Sequence, residues 1–262
     1  MNNITFDESN KIFHLKTKGM SYVMQIYKEG YLSHLYWGNE ISEYRNSKLI
    51  RHADRAFSPN PNSDDRTFSL DTLPQEFPSY GVTDFRTPAL LIKMDDGTYA
   101  SDFRYLSHQV MNGKPTLPGL PMSYGSELEI ETLIITLKDE KYNIYLDLSY
   151  SIFKNYPILT RSTKVRNETD KVVNIDKLSS FNCDFRNENL ELIHLAGAWG
   201  NERNLTRQSI EQGMFTIQSR RGSSSHHHNP FYALVQPETT EQNGDVYSFN
   251  YVYSGNFLAE IE

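Results

Sequence analysis

The 262-residue sequence predicts an all-β fold, a large antiparallel sandwich, and three observations carry that expectation. Apolar and polar residues alternate through successive runs of strand length, the pattern of a sheet with one buried face. Short turns rich in Gly, Asp, Asn and Pro separate the runs. No window of helical length keeps apolar residues at the i, i+3, i+4, i+7 spacing of an amphipathic helix. Aromatic residues make up 13% of the chain, with Tyr 17 and Phe 14, which suits pleated surfaces and sugar-facing ones alike.

Taken in order, residues 21–27 and 31–37 alternate on either side of Lys28-Glu29-Gly30, a hairpin with glycine where a positive φ is needed. Residues 89–94 and 99–110 flank Asp95-Asp96-Gly97, the strongest hairpin signal in the chain. A meander is predicted next, from residues 128–137, 142–153, 158–166 and 172–182. Its turns are Lys138-Asp139-Glu140-Lys141, Lys154-Asn155-Tyr156-Pro157 and Asn167-Glu168-Thr169-Asp170. Residues 232–236, 246–253 and 257–261 read as three more strands. Two regions break the pattern. Residues 51–88 form a long Pro-, Asn- and Asp-rich excursion, and Phe57, Phe68, Leu70, Phe77, Tyr80 and Phe85 argue that it is ordered. Residues 194–231 string Gly, Trp, Arg, Ser, His and Asn together without strand alternation, the composition of a functional loop.

Bulk properties exclude several classes. A net charge of −7 argues against a nucleic-acid partner, which needs a basic footprint. The single cysteine, Cys183, excludes an internal disulfide and suits a reducing compartment. The opening MNNITFDESNK has neither the basic nor the apolar part of a secretory signal. Nothing approaches the roughly 18 apolar residues of a membrane span. The cytoplasm is the expected location.

Candidate chemistry lies in the two irregular regions. Asp64, Asp65, Asp71 and Asp84 offer carboxylates for glycoside hydrolysis, but turn chemistry explains most acids in such a run. His226, His227 and His228 suggest a metal site; with no carboxylate or cysteine at ligand spacing, hydrogen bonding or surface exposure is the stronger reading. Cys183 has no histidine motif nearby and reads as a small buried residue. Gly222-Ser223-Ser224-Ser225 is too short for a phosphate loop and lacks its lysine. Trp199, between Gly197 and Gly200, is either a platform for sugar C–H faces, with Asn201 and Arg203 nearby, or a cap on the sandwich edge. From the residues alone these two readings stand level.

Four motifs add a resemblance. They are FSPNPNSDDRTFSLDTLPQEFPSYGVTDFRTPAL (57–90), HLAGAWGNER (194–203), QSRRGSSSHHHNPF (218–231) and YVYSGNFLAEIE (251–262). In this order, spanning essentially the whole chain, they resemble the N-terminal domain of bacterial family 36 α-galactosidases. The resemblance implies a β-supersandwich of the galactose-mutarotase-like kind, ahead of a (β/α)₈ barrel that carries two catalytic aspartates of a retaining mechanism. A barrel needs about 250 residues. The expectation is therefore one N-terminal sandwich domain over residues 1–262, lacking its last strands and the barrel, with no catalytic residue of its own and inactive alone.

The resemblance also implies roles. Trp199 in the GAWG motif would stack on galactose. Asp54 and Arg66 would reach the pocket of a neighbouring subunit, where a carboxylate accepts from sugar hydroxyls and a guanidinium supplies directed donors. The implied partners are galactose-containing oligosaccharides such as melibiose and raffinose, and further copies of the parent chain in a homotetramer; no cofactor, metal, nucleic acid or membrane is implied. If the sandwich is incomplete, the strand at 257–261 is expected to be unpaired and prone to association. Two alternatives remain open: a stand-alone carbohydrate-binding sandwich, and a mutarotase-like epimerase, which needs a His and a carboxylate on one concave sheet face.

Overall fold

The computed structural model describes residues 3–45, 50, 54, 60–185 and 189–262. Among them are sixteen antiparallel strands and two one-turn 3-10 helices, Lys28–Gly30 and Leu70–Thr72, with no α-helix. The chain divides into two compact units, residues 1–115 with 124–184, and residues 116–123 with 185–262.

The first unit begins with β1 (Ile4–Asp7), β2 (Ile12–Thr17), β3 (Met20–Ile26) and β4 (Leu32–Gly38), paired in chain order. This sheet is buried on both faces. Phe13, Leu15, Tyr22 and Met24 join one apolar cluster, while Ile12, Val23 and Leu35 join another with Phe68, Leu70 and Leu73. The second cluster sets Phe68, Leu70 and Leu73 against the outer face of β2–β4, and Phe77 joins the first cluster, so the described part of the excursion is packed, as its aromatic content led one to expect. Tyr80 and Phe85 are exposed and stack edge-to-face on each other instead, at 5.8 Å between centroids. Phe57 lies outside the described residues. The predicted turn at Lys28–Gly30 is present, with positive φ at Glu29 and Gly30.

β5 (Leu90–Lys93) is followed by β6 (Phe103–Asn112), β7 (Ile130–Asp139), β8 (Ile144–Phe153) and β9 (Ile158–Asn167), the last four forming one meander sheet. Residues 133–139 of β7 and 144–150 of β8 alternate, with Leu133, Ile135, Leu146 and Leu148 pointing into the core. Two expectations are corrected. The Asp95-Asp96-Gly97 turn closes locally, with Met94 N donating to Thr98 O and Gly97 N to Met94 O, yet β5 does not pair with β6. It pairs with β10 (Asn174–Leu178), which was expected to extend the meander beyond β9. Turn chemistry fixes the local bend but does not choose the partner of a strand; Leu90 and Ile92 are fully buried, and that burial lies between the two larger sheets' core residues.

The second unit contains β11 (Glu191–Ala198), β12 (Asn201–Ser209), β13 (Phe215–Ser219), β14 (His228–Val235), β15 (Val246–Asn250) and β16 (Phe257–Ile261). One sheet runs β12-β11-β14-β15 and the other is the pair β13-β16. Leu190, Leu192, Ile217, Leu234, Phe257 and Ala259 make the core between them. The region expected to be a functional loop is thus mostly strand. Its alternation is hidden because β12 is a sheet edge with nearly every side chain in solvent, so nothing selects apolar residues there. β16, expected to be unpaired, is paired along its full length with β13, from Phe215↔Ile261 to Ser219↔Phe257.

Candidate substrate-contact site

In the second unit, β11 and β12 form a hairpin whose tip is Trp199-Gly200, with Ala198 facing Asn201 across it. Two glycines make that tip possible for different reasons. Gly200 takes φ +75, which L side chains rarely adopt. Gly197 sits at a bulge between Ala196 and Ala198, and a Cβ there would run into the carbonyl oxygen of Asn201. The bulge carries the indole of Trp199 out of the sheet, where it is 87% exposed. Glu202 caps the turn by accepting from Gly200 N at 2.9 Å. An indole that meets solvent on this scale is not serving as a sandwich cap.

Next to the hairpin, Gly197 N donates to His227 O at 3.2 Å and Ala196 pairs with His228. His228 Nδ1 accepts from Gln218 N at 3.1 Å, and the rings of His226 and His227 lie 4.5 Å apart. No group of three potential metal ligands occurs among the described residues. His194 is buried on β11 with neither ring nitrogen hydrogen-bonded; burial, then the neighbouring His228, lowers its pKa and keeps it neutral.

Asp54 and Arg66 belong to the first unit and meet each other: Arg66 Nη2 lies 3.2 Å from Asp54 Oδ1. Both are well exposed, so the pair contributes little to stability and both groups stay open to a ligand. Arg66 is positioned by its neighbour. Asp65 accepts from Lys28 Nζ at 2.8 Å and from Thr67 N and Oγ1 at 3.0 and 2.6 Å. Lys28 foremost, with the two Thr67 donors, holds its carboxyl well below the usual range. The other acids weighed in the sequence are turn or core residues. Among the described residues Asp64 meets no cation, and it sits beside Asn62 and Ser63, while buried Asp84 takes Gln75 Nε2 at 2.5 Å and Arg86 Nε at 2.7 Å.

A second cluster in the first unit has no signal in the sequence. The Glu76 carboxylate, with no solvent exposure, accepts from Tyr22 Oη at 2.8 and 2.9 Å, Tyr150 Oη at 2.9 Å and His34 Nδ1 at 3.1 Å. Arg161 Nη2 stands 3.7 Å from it, with the guanidinium 3.5 Å over the Tyr150 ring. Cys183 Sγ is 3.6 Å from His34 Nε2, so the thiol is half-buried against a polar partner, not the apolar contact expected of it. Burial, reinforced by Glu76, raises the Tyr22 phenol pKa well above its ordinary value; burial does the same for Tyr150, opposed by Arg161 and helped by Glu76. These six residues come from six separate stretches, and only the fold brings them together.

A multi-sheet antiparallel domain presenting one exposed indole is the class defined so far. Comparison with known proteins supplies the family. Residues 30–262 match the Glycosyl hydrolase family 36 N-terminal domain. The chain is 44% identical over 260 residues to alpha-galactosidase AgaA of Geobacillus stearothermophilus, covering 99% of this chain and 36% of that protein. It is 43% identical over 263 residues to alpha-galactosidase Mel36A of Lactobacillus acidophilus, covering 100% of this chain and again 36% of the relative. The crystal structure of the family 36 alpha-galactosidase AgaB from G. stearothermophilus superposes with a TM-score of 0.94 at 44% identity, over 100% of this chain and 36% of that one. An AgaA variant crystallised with raffinose gives 0.93 at 45% identity, over 96% and 35%. The chain belongs to the glycosyl hydrolase family 36 N-terminal domain family. It spans about a third of the length of the curated relatives it matches.

Proposed function

We propose that this chain is the N-terminal domain of an α-galactosidase that hydrolyses terminal α-galactosides of the melibiose and raffinose type. The observation that carries the reading is identity of 44% across essentially the whole chain to the N-terminal third of an alpha-galactosidase. The raffinose bound by a relative of the same fold supports the substrate class. In this reading Trp199 stacks on the galactose ring, and Asp54 and Arg66 contribute polar contacts across a subunit boundary in a homotetramer. The retaining chemistry is carried by aspartates of a barrel that follows the domain. No described helix is long and apolar enough to cross a membrane. The single cysteine suits a cytoplasmic setting.

An epimerase reading needs a His–carboxylate pair open to sugar. His34 and Glu76 are the buried pair of the first unit, closed in by Tyr22, Tyr150 and Arg161, so they act in the core. A binding-module reading keeps Trp199 and drops the barrel. An assay with a chromogenic α-galactoside separates these. The 262-residue chain is expected to be inert, and the same domain followed by its barrel active. Turnover by the purified chain that vanishes on replacing one of its own carboxylates sinks the proposal. Raffinose binding by the chain alone, with no galactosidase activity in the extended protein, replaces it with the binding module.

A further inference from the structure

Gln218, Ser219, Arg220, Arg221, Ser225 and His227 line a shallow cleft of about 260 Å³ in the second unit. This is just below the range of pockets that take drug-sized ligands and is ample for one small polar group. The chain carries more acids than bases, 33 against 26, and among the described residues most arginines pair with carboxylates, as Arg86, Arg104, Arg166 and Arg207 do. Arg220 and Arg221 are different. Arg220 Nε donates to the neutral amide oxygen of Gln218 at 2.9 Å, and Arg221 Nη2 meets only His227 Nε2, at 3.4 Å. Among the described residues neither guanidinium has a carboxylate partner. Two adjacent cations and an imidazole held together without an anion leave a locally positive concavity in an acidic protein.

The cleft is also rigid. Gly222, at φ +79, turns the chain, and its N–H donates to Asn256 Oδ1 at 2.7 Å. Ser224 N donates to Ser254 O at 2.6 Å, and Ser219 Oγ to Ser223 O at 2.6 Å. Ser225 Oγ lies 3.3 Å from His227 Nδ1. The side chains are therefore presented on a turn fixed at several points, the preorganisation that lowers the entropy lost on binding. We propose that this cleft binds a tetrahedral phosphate group. Two planar guanidinium forks and a hydroxyl supply more donors than the two oxygens of a carboxylate can accept, and they suit the oxygens of a phosphate. Burial first, and then the positive charge of Arg221, depress the His227 pKa, which agrees with a positive field there. Because Gly197 N is bonded to His227 O, the cleft adjoins the hairpin that carries Trp199, and a sugar phosphate held there would lie near that hairpin. The proposal rests on the cleft alone and needs neither the platform nor a galactosidase activity.

The test is a calorimetric titration of the 262-residue chain at neutral pH and physiological ionic strength with inorganic phosphate, galactose 6-phosphate and galactose, following the ¹⁵N signals of His227 alongside. Saturable binding of both phosphates is expected, none of galactose, with the His227 ring signals moving. Arg220→Gln and Arg221→Gln should each weaken binding by about tenfold, the loss of one charge-assisted contact. Arg221→Lys should retain part of it, and Arg45→Gln in the other unit should leave it unchanged. Tighter binding of galactose 6-phosphate than of phosphate assigns a phosphorylated sugar; equal affinities assign free phosphate. A chain with native circular dichroism that shows no saturable phosphate binding overturns the proposal, as does binding that both glutamine variants and the lysine variant leave intact.

Discussion

Glu76 concentrates more hydrogen bonds than any other buried carboxylate described above, and its environment makes His34 a pH-sensitive residue. Burial opposes a charge on His34, but Cys183 at Nε2 and Glu76 at Nδ1 outweigh it and raise the imidazole above its ordinary 6.5. A group whose folded pKa is raised stabilises fully below its unfolded value and loses that share as pH rises. Between pH 6.5 and about 8, below the ordinary range of a thiol or a phenol, the melting temperature should therefore fall with pH. In His34→Gln this slope should flatten; an unchanged slope would show that His34 is neutral throughout. Tyr150→Phe leaves Glu76 one donor short in a dry site and should cost about 1–3 kcal/mol in chemical denaturation. Trp199 behaves oppositely. At 87% exposure, Trp199→Ala should leave the melting temperature in place. In the longer enzyme it should lower kcat/KM by roughly ten- to a hundredfold if the indole stacks on substrate. Unchanged kinetics would remove its assigned role.

At the scale of elements, the β11–β12 hairpin depends on Gly197. Gly197→Ala sets a Cβ against the Asn201 carbonyl, a backbone atom that cannot swing aside, and should destabilise the second unit by about 1–3 kcal/mol while displacing Trp199. Amide exchange across Ala196 to Asn204 reads this out, and native-like protection there would disprove the steric account. The same hairpin shows what was legible in the sequence. GAWG could be read as a bend carrying an exposed aromatic, because glycine signals its geometry directly. The strandedness of β12 could not, since an edge with both faces in solvent leaves no period in Asn201–Ser209. β1 and β2 also went unread: Ile12, Phe13 and Leu15 are buried, but with both faces of β2 covered the run lacks the alternation that marks a half-exposed strand. The meander β7–β9 was plain, having one core face and one wetter face. The Glu76 cluster was invisible because its members share no spacing, only a place in the fold.

For the whole molecule, the Asp54–Arg66 pair becomes informative only in an assembly. If Arg66 acts on a neighbour's pocket, Arg66→Ala subunits mixed with subunits lacking a barrel aspartate should recover part of the lost activity, because some pockets receive both intact halves. Activity no higher than the sum of the separate variants would place Arg66 within its own subunit. β16 bears on association as well. It pairs with β13 on one side, but in the two-stranded sheet β13-β16 its other edge has no strand partner among the described residues, so light scattering should report association that grows with concentration, and a sharp monomer peak would count against it.

The pairing of β5 with β10 has a consequence for how the protein is made. Lys93 meets Asn174 and Leu90 meets Leu178, so roughly 80–90 residues separate the two strands. At roughly 5–20 residues per second, a ribosome needs on the order of ten seconds to deliver the second after the first. Through that interval β6 to β9 can zip up from local contacts, while β5, already clear of the tunnel, waits with its own edge unmatched. Slow codons before residue 174 would prolong the wait, and a chaperone that shields a bare strand would find its client there.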